Sequence, residues 1–395
     1  MSDAPAKIRP EIPFRPNLER KKWRASLPRG RERYTAADRQ RRAGTPLSME
    51  RSRRQARNRC KIETLSANRI LPVVRTPRRF CLALISTLVV ATTAFAIFER
   101  PSENARLAAI GNLYEETEFV RELFRPDADF PPIATPRRGD WLMFHREPGQ
   151  TFDEYRGAEY ARIDDKRRTI YLLPLGEFPK DEAPALEHLR TYAAAFFQTE
   201  VKVLPAYFPH DLEFDPRENE FTHKRQRLTR AILGWLHTRL PDDALCLLAV
   251  TMDDLYPDPK WNFVFGEATL EDRVGVYSFA RYDPAFFGEK RSEAWRDVAL
   301  RRACKILAHE TAHMFGLFHC IYFDCVMNGA NSLEESDNQP LHACPVCLRK
   351  LRHALRFNPI ARYRQLHDFY RAQKWFEDAD WVARQLKRVA RALPE

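Results

Sequence analysis

Apolar and polar positions follow two different periods between residues 169 and 315. Thr169-Ile-Tyr-Leu-Leu-Pro-Leu175 and Leu245-Cys-Leu-Leu-Ala-Val-Thr251 are apolar runs. The second is unbroken and bounded by Pro241 and Pro257, which predicts a strand buried on both faces. Val201–Leu204 and Val274–Phe279 predict two further strands. Trp261-Asn-Phe-Val-Phe265 alternates, as a strand does with one face on the core and the other available. Between these runs the period lengthens. Glu182–Gln198 places Leu186, Leu189, Ala193, Phe196 and Phe197 near one helical face, and His223–Leu240 carries Leu228, Ile232, Trp235 and Leu236 as a stripe. Ala294 to about Phe315 predicts a long helix. Beyond Cys347, amphipathic stretches including Tyr363–Ala372 and Trp381–Ala392 predict two or three helices. Strands alternating with helices predict an α/β fold with a mostly parallel sheet covered by helices. Residues 99–165 show no period from which a fold can be read.

The N-terminal quarter is of another kind. Residues 1–79 hold 23 Lys and Arg against 7 Asp and Glu, a net charge of +16, whereas the remainder holds 42 against 47. The formal +11 of this 395-residue chain therefore belongs to a leader, and nucleic acid is not an expected partner of the mildly acidic body. Rich in Arg, Pro, Ser and Ala, residues 1–79 read as a basic disordered tail, or as translation from a start upstream of Met49. The functional alternative is a polybasic arm for anionic lipid or nucleic acid. Phe80–Phe98 then follows without a single charge, between Arg78-Arg79 and Glu99-Arg100. At helical rise it would extend ~28 Å, close to the ~30 Å hydrocarbon core. It predicts a single-pass membrane protein with its basic N-terminus cytoplasmic. The alternatives are a signal peptide cleaved near Ala94-Phe95-Ala96, with export of the rest, or a cytoplasmic protein that does not use the segment. With 44% hydrophobic residues the body can build a sizeable core, and the 13 glycines form no phosphate loop.

Candidate chemistry is concentrated in His309-Glu310-Thr-Ala-His313-Met-Phe-Gly316-Leu-Phe-His319. On a helix, positions four apart share a face, so His309 and His313 can ligate one metal. Glu310, next to the first, can reach a metal-activated water as general base. Gly316 ends the helix and lets the chain bring back His319 as third ligand. Three imidazoles leave one tetrahedral position open, the pattern of a catalytic zinc. A helix that happens to carry histidines is the bland reading, but it would have to meet five fixed positions at once. Cys320, Cys325, Cys344 and Cys347 follow directly. Their spacing suits a closed, structural zinc site; disulfides are the alternative in an oxidising compartment. Cys246 and Cys304 read as buried residues without chemistry.

The run H-E-x-x-H-x-x-G-x-x-H-C-x4-C-x-M…C-x-x-C resembles the archaemetzincins, metzincin-type zinc peptidases, and in particular their eukaryotic-type members. Thr251–Pro257, Trp261–Gly266, Ser278–Tyr282, Asn331–Glu335 and Pro345–Leu351 extend the likeness, which covers about residues 115–375. The resemblance implies a metzincin-like mixed sheet with an antiparallel edge strand, a long active-site helix and a helical C-terminal region. It implies an N-terminal extension over 99–165 and a peptidase domain over 166–395. Within that domain the active-site helix spans about 294–315, the four-cysteine region 320–347 and the C-terminal helices 348–395. It also implies two Zn²⁺ ions, one catalytic on His309, His313 and His319 and one structural on the four cysteines. Glu310 would be the catalytic base, Met327 the residue of the turn beneath the catalytic metal, and Trp261, Phe263 and Phe265 part of an edge strand that receives a peptide or protein substrate. Endo- and aminopeptidase action both remain open. The competing reading is a catalytically inactive zinc-binding scaffold tethered to the membrane.

Overall fold

The computed structural model describes residues 98–392 apart from residue 115 and residues 209–215. The N-terminal part carries four short helices: α1 (Glu103–Ile110), α2 (Glu118–Phe124), α3 (Trp141–Phe144) and α4 (Phe152–Gly157). The order continues with β1 (Thr169–Leu175), α5 (Leu186–Phe197), β2 (Glu200–Val203), β3 (Arg217–Glu218), β4 (Arg225–Leu228), α6 (Thr229–His237), β5 (Ala244–Thr251), β6 (Asp254–Tyr256), β7 (Gly266–Ala268) and β8 (Val274–Ser278). It ends in α7 (Trp295–His313), α8 (Leu333–Asn338), α9 (Pro345–Leu355), α10 (Pro359–Ala372) and α11 (Phe376–Ala390).

Five strands form the main sheet in the order β2-β1-β5-β8-β7. The first four are parallel, and β7 runs antiparallel to β8 at the edge. This is the mixed, mostly parallel α/β sheet expected from the sequence. Its apolar strands are divided between two cores by the two-residue period of a pleat. Ile170 and Leu172 of β1, with Leu248 and Val250 of β5, face the larger core under α5 and α7. Tyr171, Leu173 and Leu175, with Leu247 and Ala249, face the smaller one under α6. The C-terminal helices complete the larger core: Arg362 of α10 is buried and donates from Nε to the Phe196 carbonyl at the end of α5, 2.7 Å away.

Several expectations are corrected by the fold. His223–Leu240 is not one helix, because Arg225–Leu228 pairs with β3 and β6 before the helix starts. Gln226, wholly buried, donates to Asp254 at 2.8 Å and to the Asn262 carbonyl at 2.9 Å, so extended backbone is rewarded there. Trp261–Phe265 is not a strand either. Its Trp261 and Asn262 carbonyls accept from side chains, Trp261 from Arg217 and Asn262 from Arg217 and Asn219, and its pairing is reduced to an isolated antiparallel bridge from Val264 to Leu255. The antiparallel edge strand begins one residue later, at Gly266.

The single-pass membrane placement is also corrected. Among the described residues no helix is long and apolar enough to cross a membrane. The segment on which that expectation rested lies outside the described residues up to position 97, as does the basic segment 1–79.

The loop before β7 is fixed by a buried ion pair. Arg281 donates to Asp254 from Nε and Nη2, both at 2.8 Å, with the two side chains 7% and 1% exposed. The same guanidinium stacks over the Phe263 ring at 3.6 Å. Removing one partner of such a pair leaves a buried charge uncompensated. Arg281→Met is expected to lower unfolding free energy by about 3–5 kcal/mol in a denaturant titration.

Candidate active site

α7 is the element that delivers the motif. It runs beneath the β7–β8 edge with its middle and C-terminal half buried, and its last turns carry His309, Glu310 and His313. The helix stops at once. Gly316 adopts φ of +83°, its N–H returns to the His313 carbonyl at 2.7 Å, and a Cβ there would stand 2.0 Å from the Tyr160 ring. Only glycine fits that turn, and the turn redirects the chain so that His319 faces the helix.

The three imidazole rings lie 4.6, 5.2 and 5.0 Å apart, centroid to centroid, and each offers a nitrogen within 4.8 Å of the others. What points them is the opposite nitrogen of each ring. His309 Nδ1 lies 2.8 Å from the Val326 carbonyl and His313 Nδ1 lies 2.6 Å from the Leu317 carbonyl. A carbonyl oxygen only accepts, so both Nδ1 atoms carry the proton and both Nε2 atoms present bare lone pairs. Those two Nε2 atoms approach to 3.0 Å. With no proton between them the contact is repulsive, and a cation among the rings turns it into an attraction. Burial holds His309 down to about 3 and His313 well below its ordinary value, so both rings are neutral, the form that ligates metal. By donor type, tautomer and convergence, the set fits a zinc ion.

His319 is held from elsewhere in the chain. Its Nδ1 donates to Glu147 Oε1 at 2.7 Å, and Trp141 Nε1 donates to the same oxygen at 2.7 Å. Burial by itself would raise Glu147, but the hydrogen bond from His319 and then that from Trp141 hold it below the usual carboxylate range. Glu147 is therefore ionised and orients the third ring as an acceptor. Nothing in the motif announces this residue. It comes from the stretch without a readable period, 172 positions upstream. Trp141 also stacks on His145, which in turn stacks on Trp261, at 3.7 and 5.4 Å. Trp261 thus sits at the cleft rim rather than in a strand, Phe263 covers Arg281, and Phe265 packs edge-on to Phe263 at 5.2 Å.

Glu310 is turned toward β7. A Cβ on Gly266 would lie 2.7 Å from its Oε1, so the carboxylate rests against the edge-strand backbone. Burial, with Glu267 adding to it, pushes Glu310 up to about 8. The three histidines and Glu310 line one cavity of about 760 Å³, closed on its other walls by β7, Trp141 and the segment 326–339.

The four cysteines meet behind this cavity. All are buried and free, and their sulfurs lie within 4.8 Å of one another, Cys320 to Cys344 at 3.6 Å. That exceeds a disulfide bond and is close to the ~3.8 Å between sulfurs of a tetrahedral site with ~2.3 Å bonds. The Cys344 N–H donates to Cys325 Sγ at 3.2 Å. Asn328 closes the loop by donating to the Cys320 and Phe323 carbonyls while accepting from the Cys325 N–H. Met327 is wholly buried, and its carbonyl accepts from the Cys320 N–H at 2.8 Å. Cys246 and Cys304 are buried apart from this cluster.

An α/β fold with an HExxH helix ending at a glycine and a third histidine defines a metzincin-like zinc peptidase. Comparison with known proteins gives the family. The model of Peptidase family M54 matches residues 218–353. Archaemetzincin-2 of Mus musculus is 36% identical over 291 residues, covering 67% of this chain and 79% of that protein. Archaemetzincin-2 of Homo sapiens is 34% identical over the same extent. The crystal structure of archaemetzincin from Methanopyrus kandleri aligns at 28% identity with 49% of this chain and 98% of its own, at a TM-score of 0.39. The chain belongs to the archaemetzincin family and is a zinc metallopeptidase.

Two outcomes test this geometry. Glu147→Gln keeps an acceptor but removes the charge facing His319, and is expected to weaken zinc binding by about 10–100-fold in a competition titration with a chelator. Gly266→Ala drives a methyl into Glu310, and is expected to lower peptide turnover while zinc content, measured by atomic absorption, is unchanged.

Proposed function

We propose that this chain hydrolyses peptide bonds with Glu310 as general base beside a zinc held by His309, His313 and His319, and that a second, structural zinc is held by Cys320, Cys325, Cys344 and Cys347. The observation that carries the reading is the set of bare Nε2 atoms converging beside a carboxylate that faces the same cavity. Zinc in such a site supplies Lewis acidity, lowering the pKa of water and polarising a carbonyl. Glu310 takes a proton from the attacking water and hands it to the leaving amine. His309 and His313, fixed by their Nδ1 bonds, need no reorientation during the reaction.

Substrate would be received by β7 rather than by Trp261–Phe265. Gly266–Ala268 ends the sheet, and among the described residues no strand pairs with its outer side. An extended peptide can add there by backbone hydrogen bonds, with its scissile carbonyl beside Glu310. Residues 99–165 belong functionally to the peptidase unit in this reading, because Glu147 orients the third imidazole. An inactive scaffold would have no use for Glu310 against the edge strand.

The full chain is expected to bind two zinc ions and to cleave a peptide pool in a chelator-sensitive way. Glu310→Gln is expected to keep both ions and lose about 10²–10⁴ of turnover, read from initial rates. Equal cleavage by this variant and the wild type would remove Glu310 from the mechanism.

A further inference from the structure

Lys305 is a buried side chain in the cleft for which neither fold nor mechanism gives a full account. It lies on α7 one turn before His309 and is only 3% exposed. Its Nζ donates to the Ser336 carbonyl and, at 2.6 Å, to the Gln339 carbonyl. These are the terminal carbonyls of α8 and its cap, so one role is plainly structural: the ammonium satisfies a helix C-terminus. That role uses two of the three protons an ammonium offers. Among the described residues no acceptor takes the third.

The ammonium also has no ion-pair partner among the described residues. The nearby carboxylates are engaged by arginines: Asp337 accepts from Arg302 at 2.6 Å, and Asp378 accepts from both Nη atoms of Arg301. Lys305 is left as a buried cation whose partners are neutral carbonyls, an arrangement that costs stability wherever it is not used. Burial, with Arg301 adding to it, brings its pKa down to about 7. Its position gives that cost a purpose. Lys305, Ser336 and Gln339 line the same cavity as the three histidines and Glu310.

We propose that Lys305 forms the floor of a carboxylate-binding subsite immediately beside the scissile bond, so that the enzyme selects peptides presenting an acidic group there. A substrate carboxylate would take the free N–H and supply the missing counter-charge. Charge-assisted bonds of this kind discriminate strongly against a neutral isostere, because the isostere leaves the buried ammonium unpaired. The carboxylate can come from an Asp or Glu side chain or from the C-terminus of a short peptide. The inference rests on the peptidase reading above.

The test is cleavage of a peptide pool by the full zinc-loaded chain, with products identified by mass spectrometry. The pool pairs Asp with Asn and Glu with Gln at each position flanking the cut bond, and pairs free C-terminal acids with amides. The wild type is expected to prefer the acidic member of one pair set by roughly tenfold or more. Which set responds tells a side-chain carboxylate from a chain terminus. Lys305→Met is expected to bring that ratio to about one. Lys305→Gln, which keeps two donors for the α8 carbonyls, takes its place if the methionine variant does not fold. A structural tie alone would leave the acid-to-amide ratio unmoved. A wild type that cuts acids and amides alike overturns the subsite while the peptidase reading stands. A wild type that cuts neither overturns both.

Discussion

Each ring of the histidine triad is useful only because its far nitrogen is tied down. The Nδ1 bonds to Val326, Leu317 and Glu147 set the tautomers and aim the lone pairs at one point. The three ties come from three levels of structure. Leu317 belongs to the turn that ends α7, four residues from His313. Val326 belongs to the cysteine loop, and Glu147 to the connection between α3 and α4. A change at any of these levels reaches the site without touching a ligand.

The cysteine cluster accordingly belongs to the same construction as the cavity. Cys320 follows His319 in the chain, and Cys325 precedes the residue whose carbonyl holds His309. The Cys320 N–H to the Met327 carbonyl and the Val326 N–H to the His342 carbonyl make the loop rigid from both sides. Four buried sulfurs at these separations bind the strands of the loop together when they share a cation, and repel one another as thiolates when they do not. The loop therefore serves as the fixed wall against which the ends of α7 and the third histidine are set.

Four buried polar side chains lie near the sheet edge where the cleft opens. Gln226, Asp254, Arg281 and Lys305 are all nearly sealed from solvent. The first three form one network that holds the approach to β7, Gln226 donating to Asp254 and the Asn262 carbonyl and Arg281 donating twice to Asp254. Of the two cations among these four, Arg281 is paired with a carboxylate and Lys305 donates to carbonyls alone. That contrast separates groups that specify the scaffold from one with capacity left for a ligand.

Local pattern carried much of this. The apolar runs of β1, β5 and β8 and the period of α7 are legible because burial on a sheet or helix imposes its repeat directly on the sequence. Ligand spacing was legible for the same reason: four residues on a helix return to one face. The error at Arg225–Leu228 shows the limit, since a helix-compatible stripe was overruled by Gln226 and its buried partners on β6. So does Trp261–Phe265, where side chains of Arg217 and Asn219 claimed the backbone carbonyls that a ladder would have used. The short helices before residue 165 escaped notice although Thr151 and Glu154 form a capping box, because each is too brief to repeat a period. By itself, then, the sequence determined which residues could ligate metal and which segments could be buried. Tertiary structure decided what aims them: Glu147 beneath His319, Gly266 beneath Glu310, Lys305 facing the cleft. Those contacts join positions far apart in the chain, and no local period records a partner that only folding brings within reach.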